Sequence, residues 1–203
     1  MKLVGITQRL SVFPETGERR DSLALDWYPF LTALGVRWAA LPNEMKAACE
    51  LAETLGLQGL ILSGGDDPGA YPERDATETA LLAWFKARSL PVIGVCRGIQ
   101  FICRCLGGEL VPVNPDIHRA RRHMVRFFDG SRREVNSYHN YGIRFDACTD
   151  GTSVTPLARC ETDGTLESIR CDNVLAVMWH PEREITPHPD DLLLFRKHLG
   201  ITG

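Results

Sequence analysis

Residues 91–100 read PVIGVCRGIQ, an apolar run that stops at a cysteine set between two glycines and passes at once into an arginine. "PVIGVC" is short, aliphatic and uncharged, as expected of a strand buried on both faces. "RGIQFICRCLGG" (97–108) reads as a helix closed by a glycine pair. A strand, a sharp turn and a helix thus follow one another without a linker. Gly94 and Gly98 leave room for a cramped backbone at Cys96. The helix opening near Arg97 aims its N-terminus at the sulfur, a field that favours thiolate over thiol. This is the strand–turn–helix pattern of a nucleophile elbow. Taken alone it leaves two readings open, a packing cysteine or a nucleophile.

Working outward, the same rhythm repeats. "KLVGIT" (2–7) reads as a strand, and "DSLALDWYPFLTALG" (21–35) as a helix capped by Asp21 and stopped by Gly35. "VRWAAL" (36–41) is strand-like, "EMKAACELAETLG" (44–56) helical, and "LQGLILSGG" (57–65) a buried strand running into a glycine turn. A helix over "ATETALLAWFKARS" (76–89) leads to the strand before Cys96. Alternating β and α elements predict a mostly parallel sheet covered by helices on both faces. Ligands of such sheets bind beyond the carboxyl ends of the strands, where "LSGGDDP" (62–68) and "GVCRG" (94–98) would both lie. Beyond about residue 110 the texture turns to strands and hairpins in "HMVRFFDGSRREVNSYHN" (123–140) and "SIRCDNVLAVMWHP" (168–181), with a last helix over 190–199. The expectation is a single α/β domain over 1–203 with an added β-rich part in its C-terminal half.

Composition excludes several classes. A net charge of -3 gives no overall pull toward nucleic acid or an anionic membrane. No window approaches the roughly eighteen apolar residues of a membrane span, and "MKLVGITQRL" (1–10) holds no apolar run of signal-peptide length. Seven cysteines (49, 96, 103, 105, 148, 160, 171) form an odd set without a CxxC pair, against both a disulfide framework and a zinc site. A reduced, cytoplasmic protein without a metal or organic cofactor is expected. Cys103 and Cys105, two apart on a helix, do not share a face and read as packing residues. Asp66 and Asp67 read as turn residues. His118, His123, His188 and His198 have no partner legible in the sequence.

A thiol nucleophile needs a base, and the base an orienting group. "MWHPERE" (178–184) offers both after the apolar strand "NVLAV" (173–177). His180 and Glu182 stand two apart, so in extended backbone their side chains project to one side, and Pro181 stiffens the segment between them. A solvent-exposed turn would explain the tripeptide by itself. Its pairing with the cysteine elbow favours the catalytic reading.

"LSGGDDP" (62–68), "GVCRGIQ" (94–100) and "WHPE" (179–182) in this order resemble the class I glutamine amidotransferase family, and the likeness runs from "GITQR" (5–9) past Glu182. It implies a flavodoxin-like fold, Cys96 as nucleophile, His180 as base and Glu182 as its orienting carboxylate. It implies oxyanion-hole N–H groups at Gly65 and Arg97, and a substrate contact at Gln100. "VNSYHN" (135–140) is similar to the γ-glutamyl hydrolase branch, which implies Asn136, Ser137, Tyr138 and His139 around the glutamyl group. Tyr141 stands where that branch often has glutamine. The expected partner is a small γ-glutamyl substrate, either a γ-glutamyl amine such as γ-glutamyl-γ-aminobutyrate or, from the likeness to surface-polysaccharide hydrolases, a γ-glutamyl phosphoramidate linked to cytidine diphosphate. The alternative is a glutaminase subunit feeding ammonia to a separate synthase, which "VNSYH" disfavours. Arginines in "GERRD" (17–21) and "HRARRH" (118–123) are candidate contacts to an anionic leaving group: Arg19, Arg20, Arg119, Arg121 and Arg122. Solvated surface ion pairs explain such runs equally well.

Overall fold

The computed structural model describes residues 1–144 and 154–201. Cys148, one of the seven cysteines, lies outside the described residues. Five uncharged or half-buried strands form the parallel core: β1 (Leu3–Thr7), β4 (Arg37–Leu41), β5 (Leu60–Leu62), β6 (Val92–Val95) and β13 (Val174–Val177). Between β1 and β4 run a short hairpin, β2 (Arg9–Val12) with β3 (Arg19–Ser22), and helix α1 (Trp27–Leu34). Helix α2 (Met45–Thr54) leads to β5, α3 (Pro72–Ala87) to β6, and α4 (Arg97–Cys105) leaves β6 at once. In space the five strands run β4-β1-β5-β6-β13. Numbered along the chain, that is the order 2-1-3-4-5 of a flavodoxin-like sheet, with its switch point between β1 and β5.

Side chains along the core strands alternate between the two faces. Val4, Ile6, Ile61, Ile93, Val95, Leu175 and Val177 pack with Trp27, Phe30, Leu31 and Leu34 of α1 and with Phe195 and Leu199 of α6 (Pro189–Leu199). Leu60, Leu62, Val92 and Ala176 face the other way, onto α2, α3 and α4. Both faces are covered, which is why these strands carry no polar alternation.

The β-rich part extends the same sheet. After α4 come β7 (Glu109–Pro112), the single turn α5 (Pro115–His118), the long hairpin β8 (Arg119–Phe127) with β9 (Arg132–Tyr138), and β10 (Tyr141–Arg144), which pairs with β7. β11 (Thr155–Cys160) and β12 (Leu166–Cys171) then continue antiparallel from β13, so that among the described residues one nine-stranded sheet ends in β12-β11-β8-β9. Among the described residues no helix is long and apolar enough to cross a membrane.

Two helix starts differ most from the sequence reading. The first helix starts at Trp27, not after Asp21. Asp21 sits in β3, where its carboxylate accepts from the Asn43 backbone N–H (3.1 Å) and side-chain amide (2.7 Å), clasping the loop after β4. The third helix begins four residues earlier than read, at Pro72, whose fixed φ suits a first helical turn.

Candidate active site

The carboxyl ends of β5, β6 and β13 converge, and each delivers one motif. Cys96 ends β6 at φ +51° and ψ -101°, a left-handed conformation that side chains other than glycine rarely adopt. Its N–H donates to the Val177 carbonyl at 2.9 Å, while α4 begins at the next residue. The flanking glycines are steric requirements. A Cβ on Gly94 would meet Ile102 Cδ1 at 2.7 Å, and one on Gly98 would strike the Leu62 carbonyl. Cys96 therefore stands at the apex of a turn that only glycine neighbours allow, with free helix N–H groups directly after it.

His180 follows β13 and is buried. Its Nδ1 lies 2.6 Å from Glu182 Oε1, which leaves Nε2 for Cys96, with which the ring also hydrogen-bonds. Burial alone would lower the His180 pKa, but the negative charges of Cys96 and Glu182 outweigh it and raise the value to about 10. Thiol, imidazole and carboxylate thus meet in one cluster, and His180 reaches Glu182 across the 3-10 turn Pro181–Arg183, not along the extended backbone the sequence reading expects.

Gly64 and Gly65 end β5 beside them. A Cβ on Gly64 would press on His180 Cε1 at 2.6 Å. Gly65 has φ +130°, and a Cβ there would meet Arg74 Nη1 at 2.8 Å. This turn is pinned from below by Arg74, whose Nη2 donates to the carbonyls of Ser63 (2.9 Å) and Gly64 (3.1 Å). Arg74 is held in turn by Glu78 (3.1 Å), which also accepts from Thr7 Oγ1 (2.8 Å) and pairs with Arg97, itself bonded to Asp75. Arg74, Glu78 and Arg97 are all buried. The sequence reading missed Arg74 and Glu78, because an i,i+4 pair on a helix carries the signature of a solvent-exposed ion pair.

A cavity of about 420 Å³ opens over Cys96 and His180, lined also by Gly65, Tyr138, Arg9 and Arg183. Of the residues read from "VNSYHN", Tyr138 faces it, its ring edge-on to His180 at 5.6 Å. The other three turn inward. Asn136 bonds the backbone of His180, Ser137 Oγ donates to the His118 carbonyl (2.7 Å), and His139 Nδ1 bonds the Tyr141 carbonyl (3.0 Å). Gln100 is also buried and donates to the Tyr141 carbonyl at 2.8 Å.

The arginines named from the sequence lie on the surface. Arg19 pairs with Glu73, Arg20 with Glu18, and Arg122 with Glu134 and Glu184, while Arg119 and Arg121 are exposed on β8. The arginines at the cavity itself are Arg9, which pairs with Asp66 at 2.9 Å, and Arg183, which lies over the Tyr138 ring. Cys103 is buried and packs as read, but Cys105 is exposed and does not, because residues two apart on a helix face different ways. His188 accepts from Asp190 N–H at the start of α6, and His198 lies 3.0 Å from the Val92 and Asn173 carbonyls.

A cysteine elbow, a histidine and a carboxylate at the carboxyl edge of a 2-1-3-4-5 sheet define a class of flavodoxin-like α/β proteins with a thiol site. The chain belongs to the glutamine amidotransferase class-I family, whose model matches residues 29–199. It is 30% identical over 190 residues to the γ-glutamyl-CDP-amidate hydrolase of Campylobacter jejuni, covering 89% of this chain and 90% of that one. It is 29% identical over 202 residues to the γ-glutamyl-γ-aminobutyrate hydrolase of Escherichia coli O157:H7, covering 77% and 76%. A solved structure from Thermoplasma acidophilum, described as a GMP synthase protein, superposes with a TM-score of 0.70 at 24% identity, covering 99% and 94%, and shares the fold.

Proposed function

We propose that this protein is a cysteine-dependent hydrolase of γ-glutamyl amides whose leaving group is anionic, a nucleotide-linked phosphoramidate of the CDP-amidate kind. The alignment of Cys96, His180 and Glu182 beneath an open cavity carries the reading. The Cys96 sulfur attacks the γ-carbonyl carbon, forming a C–S bond as the carbonyl π electrons move onto oxygen. N–H groups of Gly65 and Arg97 take the oxyanion, a contribution worth roughly 3 kcal/mol of barrier per donor. Collapse expels the nitrogen with a proton from His180 and leaves a γ-glutamyl thioester. His180 then takes a proton from water, which attacks the thioester and releases glutamate and Cys96. No other reactant is needed.

The anionic leaving group is supported by the likeness to the Campylobacter jejuni hydrolase over 89% of the chain and by two arginines at the cavity rim, Arg9 and Arg183. Such a substrate fits an enzyme of surface-polysaccharide synthesis working without a synthase partner. Glutamate release by the purified protein tests this on glutamine, γ-glutamyl-γ-aminobutyrate and a γ-glutamyl nucleotide phosphoramidate. A kcat/KM highest on the phosphoramidate and abolished by Cys96→Ala is the expected result. Turnover confined to glutamine points to the ammonia-supplying component of a synthase, and activity surviving Cys96→Ala removes the mechanism.

A further inference from the structure

Behind the hairpin that carries Tyr138, three histidines close on one carboxylate. His118 ends α5, His123 lies in β8, His139 follows β9, and Glu167 lies in β12. Their side chains are buried, His118 and Glu167 completely. His118 Nδ1 and His139 Nε2 are each 3.8 Å from Glu167 Oε1, and His123 Nε2 is 3.3 Å away. His118 Nδ1, His139 Nε2 and Glu167 Oε2 have no hydrogen-bond partner, while His123 Nε2 partners Glu167 Oε1. Two buried imidazole nitrogens and a carboxylate oxygen left unsatisfied side by side call for an explanation.

The outer edges of the rings supply it. His118 Nε2 bonds Asp163 Oδ2 at 2.7 Å, and His139 Nδ1 bonds the Tyr141 carbonyl at 3.0 Å. A carboxylate and a carbonyl accept, so each outer nitrogen carries the hydrogen. Each neutral ring then presents a bare lone pair inward. Two lone pairs and a carboxylate oxygen therefore meet, all within 4.8 Å of one another. Backing of a ligand histidine by a carboxylate or carbonyl is the second-shell arrangement of metal sites. A tetrahedron with bonds of about 2.0–2.1 Å has edges of about 3.3 Å, shorter than the 3.8 Å from each imidazole to Glu167, so binding would draw the three side chains together.

We infer that His118, His139 and Glu167 form a buried site for a divalent metal ion, zinc by its donor set of two imidazoles and a carboxylate. His123 backs the carboxylate. The ion ties both ends of the β8–β9 hairpin to β12, beside the strand that delivers His180. Because Tyr138 adjoins His139 and packs against His180, the ion steadies one wall of the cavity. The sequence reading expected no metal, since its search was for cysteine pairs and the four ligand-type residues are scattered over 118–167.

The test is equilibrium dialysis against zinc chloride with metal analysis, on Cys96→Ala protein so that the elbow thiol cannot serve as a ligand. One zinc per chain is expected, with a rise in Tm as zinc is added. Cobalt(II) in its place should show the visible absorption of a tetrahedral site. Binding should vanish in His139→Ala and Glu167→Gln. Asp163→Asn, which removes only the carboxylate behind His118, should weaken it about 10-fold or more. Absence of stoichiometric zinc and of any Tm shift in the Cys96→Ala protein would overturn the inference. So would zinc retained undiminished by His139→Ala and Glu167→Gln. If those variants do not fold, a cobalt-treated Cys96→Ala protein without the tetrahedral spectrum has the same consequence. None of these readouts uses hydrolytic activity, so the proposed function stands or falls separately.

Discussion

Asn136 holds His180 by both of its backbone polar groups. Its Oδ1 accepts from the His180 N–H at 2.8 Å, and its Nδ2 donates to the His180 carbonyl at 2.8 Å. The same amide donates to Glu184 at 2.9 Å, and Glu184 pairs with Arg122 at 3.0 Å. Asn136 thus fixes where the imidazole sits relative to the thiol, across 44 residues of sequence.

Asn136→Ala should orphan the buried His180 N–H, at about 1–3 kcal/mol, while the His180 carbonyl keeps the Arg183 N–H at 3.1 Å. Urea unfolding should show that loss of stability. Displacement of His180 should cost kcat on the order of 100-fold. Asn136→Asp keeps the acceptor and loses the donor, so it should fall between. An Asn136→Ala protein with wild-type kcat would remove the positioning role.

The charges of Cys96 and Glu182 hold the His180 pKa up to about 10. The proposed reaction starts from imidazolium, so kcat/KM should fall as pH rises through that value. Glu182→Gln removes one of the two negative charges that raise the pKa. Its falling limb should therefore move to lower pH, with a lower plateau. A pH–rate profile of both proteins checks the sign, and an unmoved limb would assign it to another group.

Gly64→Ala places a methyl 2.6 Å from His180 Cε1, and Gly64 has an ordinary φ, so the backbone tolerates alanine. Activity should drop on the order of 100-fold while circular dichroism stays that of the parent. Full activity in a folded Gly64→Ala protein would mean the ring has room that the structure does not show.

Glu78 neutralises Arg74 and Arg97 inside the protein and accepts from Thr7. Glu78→Gln should leave buried Arg74 without its paired carboxylate and Arg97 with Asp75 alone, destabilising by about 3–5 kcal/mol. Thr7→Val removes one hydrogen bond to the same carboxylate and should cost about 1 kcal/mol. Equal losses in the two variants, measured by denaturant midpoint, would contradict the charge-centred account.

Arg9→Ala and Arg183→Ala should raise KM for the γ-glutamyl nucleotide phosphoramidate at least about 10-fold, since a charge-assisted hydrogen bond contributes about 1.5–3 kcal/mol. Glutamine, with no anionic leaving group, should be nearly unaffected. A parallel loss on both substrates would place these arginines at the glutamyl side or make them structural.

Legibility followed chain distance. The alternation of elements and the elbow at Cys96 are local patterns that stand where the sequence placed them, whereas His180 and Glu182 meet through a 3-10 turn at Pro181–Arg183 and not through extended backbone. Asp21 was misread because a carboxylate before a helical stretch serves equally well as a cap or as a clasp, and only the approach of Asn43 decides between them. Asn136, Ser137 and His139 came from a motif adjoining the cavity, but strand geometry turns them toward His180, His118 and Tyr141.

By itself, then, the sequence determined the layered α/β sheet and the positions of the thiol, the imidazole and its carboxylate. These depend on periodicities of two and 3.6 and on glycines that permit a strained turn. Tertiary structure alone decided what supports them: Arg74 and Glu78 beneath the Gly64–Gly65 turn, Asn136 behind His180, and the histidines around Glu167. Those groups meet only once distant strands align. Their charges and lone pairs acquire meaning only when burial removes the water that would otherwise satisfy each one separately.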